Sequence, residues 1–262
     1  MKIVVCIKQV PDTKGGVKFN PDGTLDRGAM LAIMNPDDKA GLEAALRIKD
    51  ETGAEVTVLT MGLPKAEEVL REAMAMGADN GILVTDRVLG GADTWATSTT
   101  IAGALRNIDY DLIITGRQAI DGDTAQVGPE IAEHMDLPHV TLATAVEMAD
   151  GKLHVTRDTD EGHDLVEVSL PVLVTVTKTT YDPRYPTIKS KMAANRAVIE
   201  EITNSDPDMV CEPERLGLNG SPTKVKKTFT PVQTKDAVIL NEETGSESAV
   251  KLAALLSEAK II

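Results

Sequence analysis

Short, nearly continuous runs of β-branched and aliphatic residues recur through the first 140 positions, at Lys2 to Ile7, Glu55 to Thr60, Gly81 to Val84 and Asp111 to Thr115. Longer segments with helical spacing separate them. This alternation predicts a parallel sheet wound by helices on both faces, and a run with few polar interruptions is what a strand covered on both sides requires. The helix ends are legible. Asn35 before Pro36-Asp37-Asp38 predicts an N-cap, a proline in the first turn and two carboxylates near the positive pole, with Gly53 closing the helix. Pro64 opens a second helix, Glu67 and Glu68 follow in its early turns, and Gly77 ends it. Such first-turn carboxylates read as dipole partners on a solvated face.

From about Val140 the period changes. Alternating segments separated by Asp150-Gly151 and Glu161-Gly162 predict an antiparallel meander added to the sheet, with Leu170 to Val176 as its most buried strand. Beyond Lys178 periodicity weakens, and residues 195 to 247 hold too few apolar positions for a core of their own. That tail is expected to lie on another surface. A last helix beginning near Ser248 sets Leu252, Leu255, Leu256 and Ala259 at i, i+3, i+4 and i+7, a narrow apolar stripe suited to docking on a partner or on the chain's own domain.

Only six of the 262 residues are aromatic, so the core is expected to be built from Ala, Val, Ile, Leu and Met. The formal net charge of −14, with no long basic run, argues against nucleic acid as a partner. No apolar stretch of spanning length and no signal-like start is evident, which predicts a cytoplasmic protein without a membrane span. Cys6 lies in an apolar run and Cys211 in a polar one, so neither a disulfide framework nor a metal-ligand pair is predicted. His134, His139, His154 and His163 lack metal-binding spacing, and no serine sits in a nucleophile elbow.

In a wound sheet, ligands bind beyond the carboxyl ends of the strands. Four loops qualify: Lys8 to Pro11, Met61 to Pro64, Leu89 to Thr94 and Ile120 to Gly128. In the last, Gly122 between Asp121 and Asp123 permits a tight turn, while Thr124 could cap the next helix and leave successive N–H groups free for a phosphate. An ordinary capped turn fits the same spacing. Gly90-Gly91 frees the backbone of the third loop, where Asp93 or Thr94 is a second candidate cap. Neither a dinucleotide fingerprint nor a P-loop is present, so spacing alone reaches a nucleotide binder and no further.

Several segments in fixed order add to this: VCIKQVPD, MNPDDKAGLEAAL, VTVLTMG, LREAMAMGAD, DLIITGRQAIDGDTAQVGP and RYPTIKSKMAANR. Together they resemble the beta subunit of electron-transfer flavoproteins over residues 1 to about 200. The resemblance implies a wound, mostly parallel α/β sheet of the adenine-nucleotide alpha-hydrolase-like kind with an added antiparallel meander and a C-terminal arm. The nucleotide-binding domain would span 1–180, the partner-recognition loop and helix 181–200, and an arm docking on the alpha subunit 201–262.

It further implies a heterodimer whose alpha subunit carries an FAD, the beta subunit holding FAD or AMP. GADTWATS is more similar to the electron-bifurcating branch, in which NADH reduces the beta-subunit FAD. Electrons then divide between an acyl-CoA dehydrogenase, by way of the alpha-subunit FAD, and ferredoxin or flavodoxin. Position by position, Lys8, Asn35, Met61 and Gly62 would line the adenosine site. Asp121, Gly122, Asp123, Thr124, Ala125, Gln126, Val127 and Gly128 would hold the phosphates. Asp93, Thr94 and Thr97 would face the ribityl and ring region of a second flavin. Ile188 would be the apolar anchor of the recognition loop beside Lys189 and Lys191, and Leu252, Leu255 and Leu256 would meet the alpha subunit. No residue is expected to act as general acid or base, because the flavin carries the chemistry. An ATP pyrophosphatase would want an SGGxDS loop where Lys8-Gln9-Val10-Pro11 stands, and a small nucleotide-sensing stress protein would leave the hairpins and arm unexplained.

Overall fold

The computed structural model describes residues 1–12, 31–226 and 237–262. In chain order its first elements are β1 (Lys2–Cys6), β2 (Gln9–Pro11), β3 (Ala32–Met34), α1 (Pro36–Thr52), β4 (Glu55–Met61), α2 (Glu67–Met76), β5 (Asn80–Val84), α3 (Thr94–Leu105), β6 (Leu112–Gly116) and α4 (Val127–His134). There follow β7 (His139–Ala149), β8 (Lys152–Thr159), β9 (Gly162–Val168), β10 (Val172–Val176), α5 (Ile188–Ala194), β11 (Glu200–Ile202), the one-turn α6 (Gly217–Gly220) and α7 (Gly245–Glu258).

The central strands are apolar throughout because each feeds two cores. On β1, Ile3 and Val5 join α1 and α2 on one face, while Val4 and Cys6 join α3 and α4 on the other. Strand β6 divides likewise, Leu112 and Ile114 against Ile113. At roughly 25 cal/mol per Å² of apolar surface removed from water, these two faces dominate the stability of the domain. The nine strands run in the order β11-β5-β4-β1-β6-β10-β7-β8-β9. All pairings from β11 to β7 are parallel, and only the β7-β8 and β8-β9 pairings are antiparallel. The chain winds from β1 outward through β4 and β5, then crosses to β6 on the other side of β1. The crevice beyond the carboxyl ends of β1 and β6 is therefore the topological switch point.

Three expectations change. Leu170 to Val176 is not a strand of the meander. Its five-residue core, β10, inserts in parallel between β6 and β7 and is buried throughout, because an apolar run with no exposed face is stable only inside the sheet. Gln9–Pro11 is not loop but pairs antiparallel with Ala32–Met34 in a small separate ribbon. The tail suggested from residue 195 also starts later: β11 extends the sheet beside β5, and buried Ile202, Met209 and Leu216 complete the core around α3. Val210 N–H donates to Gly103 O at 3.2 Å, an approach made where a β-carbon on Gly103 would lie 3.1 Å from Val210 O. Few apolar residues suffice there, since they close an existing core.

The chain divides into Met1–Lys226 and Lys227–Ile262. Residues 227–236 of the expected tail lie outside the described residues. In the second unit α7 begins at Gly245 with a capping box between Thr244 and Glu247, three residues earlier than the periodicity indicated. None of its residues is buried; Leu252 and Leu255 are exposed and Leu256 is half-buried. No helix among the described residues is long and apolar enough to cross a membrane.

Candidate functional site

Strand β1 ends at Cys6, and Lys8 follows at the switch point. Its ammonium reaches Asp121 Oδ1 at 2.7 Å, so two residues 113 positions apart meet across the crevice. Asn35, wholly buried, holds the same two loops together. Its N–H donates to Lys8 O at 2.9 Å, its Nδ2 to Gln118 O at 2.8 Å, and its Oδ1 accepts from Ile120 N at 3.1 Å. Asn35 does occupy the N-cap position of α1, but its side chain does not cap that helix. A buried amide with partners on the 118–120 loop is satisfied there instead.

Asp38 is a second departure. The carboxylate expected on a solvated face is buried, accepting from Lys8 N at 2.7 Å through Oδ2 and from Gly116 N at 3.1 Å through Oδ1. Burial pushes its acid up to about 7, against the hydrogen bonds from Asn35, Lys8 and Gly116, which favour the charge. Burial also raises Asp37, opposed by Arg117 at 3.4 Å. By spacing, Asp38 cannot be told from a solvated first-turn acid; only the closeness of β1 and β6 to the start of α1 marks it.

The 117–128 loop leaves β6 through Gly116 and enters α4. Gln118 Nε2 donates to Asp123 Oδ1 at 2.6 Å, and the Gly122 and Asp123 amides both donate to Ala119 O. The backbone φ alternates in sign from Asp123 to Gln126, with 51° at Asp123, 53° at Ala125 and −103° at Gln126. Left-handed backbone costs a non-glycine residue roughly 1–2 kcal/mol. Such alternation turns successive N–H groups toward one concavity, an arrangement suited to an anion. Thr124 does not cap the next helix. Helix α4 starts at Val127 after Gln126, with no side-chain cap, because the left-handed residues carry Thr124 away from the N-cap position. Gly128 lets this helix start close on the sheet, since a β-carbon there would fall 2.7 Å from Thr115 Oγ1 and from Thr175 Cγ2.

Helix α3 starts beside this loop. Asp93 is its N-cap, Oδ1 accepting from Ala96 N at 3.1 Å. Its other oxygen accepts from Thr223 N and Oγ1 at 2.9 and 2.7 Å. Burial opposes the charge on Asp93, but these bonds outweigh it and hold the carboxyl below its ordinary range. The carboxylate thus serves the helix start and the 221–223 segment rather than open space. Thr94 Oγ1 lies 3.1 Å from Gln126 Oε1 and 3.2 Å from Glu130 Oε1, joining α3 to the phosphate-loop candidate. Thr97, one turn on along the same face and half-buried, makes no side-chain hydrogen bond among the described residues.

Met61 and Gly62 stand at the end of β4, where Gly62 N–H donates to Val84 O at 3.0 Å; neither bonds to the other candidate loops among the described residues. Ile188 and Lys189 form a separate group. They open α5, which carries a Thr187–Ser190 capping box and packs on α2. Ile188 is 83% exposed and takes no part in the core of the domain, and Tyr185 and Met192 nearby are exposed as well. The segment before α5 is anchored by a residue that spacing had not marked. Arg184 grips buried Glu43 of α1 through Nε at 2.9 Å and Nη2 at 3.0 Å, and its backbone N–H donates to the same carboxylate at 3.0 Å.

A wound parallel sheet with an anion-suited loop at its switch point and a second helix start joined to it defines an α/β protein of the class whose ligands sit beyond the carboxyl ends of the strands. The model of the electron transfer flavoprotein domain matches residues 22–207. The electron transfer flavoprotein subunit beta of Clostridium acetobutylicum is 46% identical over 98% of this chain and 99% of its own length. The acryloyl-CoA reductase electron transfer subunit gamma of Anaerotignum propionicum is 44% identical over the full length of both chains. Subunit CarD of the caffeyl-CoA reductase-Etf complex of Acetobacterium woodii is 46% identical, also over both full lengths. The chain belongs to the electron transfer flavoprotein family, as a beta subunit.

Proposed function

We propose that this subunit binds FAD at the switch-point crevice and works in a cytoplasmic heterodimer with an alpha subunit that carries a second FAD. In this reading NADH is the electron donor, and electrons divide between an acyl-CoA dehydrogenase, reached through the alpha-subunit flavin, and ferredoxin or flavodoxin. When bound here, the flavin supplies hydride acceptance and single-electron release, the chemistry no side chain of this chain provides. The chain's own residues bind and orient. The Asp121-to-Gly128 loop offers backbone N–H groups to phosphate, Lys8 and Asn35 hold that loop against the end of β1, and Met61 and Gly62 flank the adenosine. The 2-fold use of CoA thioesters in the names of two relatives supports an acyl-CoA-linked partner.

The contact of Thr94 with Gln126 carries the choice of FAD over AMP. It joins the phosphate loop to the start of α3, so a ligand continuing past the phosphates meets Thr94 and Thr97, whose hydroxyls suit a polar ring edge. AMP uses the first loop and leaves that wall idle. The expected content is two FAD per heterodimer, read by absorbance and by chromatography of the released nucleotides. Replacing Thr94 and Thr97 together with leucine should halve the flavin content while sparing the alpha-subunit flavin. One FAD and one AMP in the wild-type complex would refute the assignment.

Exposed Ile188, with Lys189 and Lys191 beside it, suits an apolar anchor entering an acidic-rimmed pocket on the dehydrogenase, and the Leu252, Leu255 and Leu256 stripe suits the alpha subunit. Ile188→Ala should slow electron delivery to the dehydrogenase at least roughly tenfold, the scale of a lost anchor worth about 1–2 kcal/mol. Flavin content and melting temperature should be unchanged. Stopped-flow reduction of the dehydrogenase measures the first; equal rates for variant and wild type would sink the anchor assignment.

A further inference from the structure

We propose that Asp38 is the positioning residue of the nucleotide site: by bridging the Lys8 and Gly116 amides, its ionised carboxylate sets the spacing of the two loops between which the nucleotide is held. The inference rests on the nucleotide-binding reading above and adds to it a residue that touches no ligand. Both carboxylate oxygens are engaged, Oδ2 by Lys8 N and Oδ1 by Gly116 N. Lys8 is the residue whose ammonium reaches Asp121, and Gly116 is the residue from which the 117–128 loop departs. Asp38 therefore ties the roots of the two loops whose tips Lys8 and Asp121 join. The fit at Gly116 is built for it, because a β-carbon there would lie 2.2 Å from Asp38 Oδ1.

A protonated carboxyl cannot do the same work. One oxygen becomes a donor, and a donor facing an N–H forfeits that hydrogen bond. The groups around Asp38 set where this happens. Asp37 precedes it on α1, the buried Cys6 thiol lies on β1, Lys8 follows β1 with its ammonium turned to Asp121, and Arg117 follows β6 with its guanidinium turned to Asp37. No cation pairs with Asp38 itself among the described residues, so burial governs, and its acid rises from 3.8 to about 7.

Two opposite pH dependences follow. Because the folded value exceeds the unfolded one, the folded chain takes up a proton between 3.8 and about 7. Asp38 therefore makes the fold more stable as pH falls through about 7, and less stable above it. Nucleotide retention runs the other way, improving as pH rises and both amides are held. A residue important for folding alone would move both in the same direction.

The experiment uses the intact heterodimer stripped of the beta-subunit nucleotide, with FAD and, separately, AMP as probes, titrated from about pH 6 to about pH 8. Wild-type affinity for the bound probe should rise roughly tenfold or more across that interval, the scale of one hydrogen bond to a charged group, while the melting temperature of the stripped complex falls. Asp38→Asn offers only one acceptor. It should bind roughly tenfold to a hundredfold more weakly at the upper pH and lose the extra pH slope, ionisation of the probe being common to both proteins. Equal affinity of variant and wild type, or parallel slopes, overturns the role of Asp38. The wild-type profile decides even if the variant does not fold: a flat one also overturns it. A wild-type complex that binds neither probe overturns instead the reading of the site.

Discussion

Replacing Gly116 by alanine is expected to lower the stability of the heterodimer by about 3 kcal/mol or more, the upper range for overpacking a filled site, and to release its nucleotide. The added β-carbon would stand 2.2 Å from Asp38 Oδ1, 2.7 Å from Asp38 N and 2.8 Å from Asp37 C. Two of these are backbone atoms of the first turn of α1, which cannot swing aside as a side-chain end can. For a domain of this size the melting temperature should fall roughly 6–12 °C, measurable by calorimetry. Gly122, six residues on in the same loop, is the control. No atom lies within 4 Å of a β-carbon there, so Gly122→Ala should change the melting temperature little. Similar melting temperatures for the two variants would show that the packing of β6 against α1 is looser than described.

The second large effect is expected at Arg184. Arg184→Met leaves the Glu43 carboxylate, only 4% exposed, with Arg47 at 3.5 Å as its remaining ion-pair contact. Removing one partner of a buried pair costs about 3–5 kcal/mol; Arg184 is 31% exposed, so about 3 kcal/mol is expected. Lysine should not restore it, since a point charge cannot reproduce the two-nitrogen grip. Asp50, 60% exposed and paired to the same guanidinium at 2.8 Å, should contribute under about 1 kcal/mol when changed to alanine. Chemical denaturation of the three variants gives this order directly, and limited proteolysis should cut the 178–187 segment faster in both Arg184 variants than in the Asp50 variant. Equal costs for the Arg184 and Asp50 variants would contradict the assignment of the stability to Glu43.

The boundary between what spacing reveals and what it hides runs through single residues. Lys8 and the 121–128 loop were legible as loops at the strand ends, and the quoted motifs tied them to the family; that Lys8 reaches Asp121 was not, because 113 residues separate them. Asp93 was legible as a cap, because capping acts over three residues. Its second duty, toward Thr223, depends on a segment 130 positions later. Thr124 and Asn35 were given caps they do not make, since left-handed backbone and a distant loop claimed them first.

By itself the sequence determined the wound sheet, the meander turns, most helix ends and the family, all of which follow from periodicities and short motifs whose physics is local. Only the tertiary structure decided that β10 lies between β6 and β7, that Ile202, Met209 and Leu216 complete the core, that Asp38 is buried and that Ile188 is not. The reason is common to all four. Burial is a property of what the chain brings alongside a residue, and a carboxylate in the first turn of a helix has the same local pattern whether water or the ends of two strands lie beyond it.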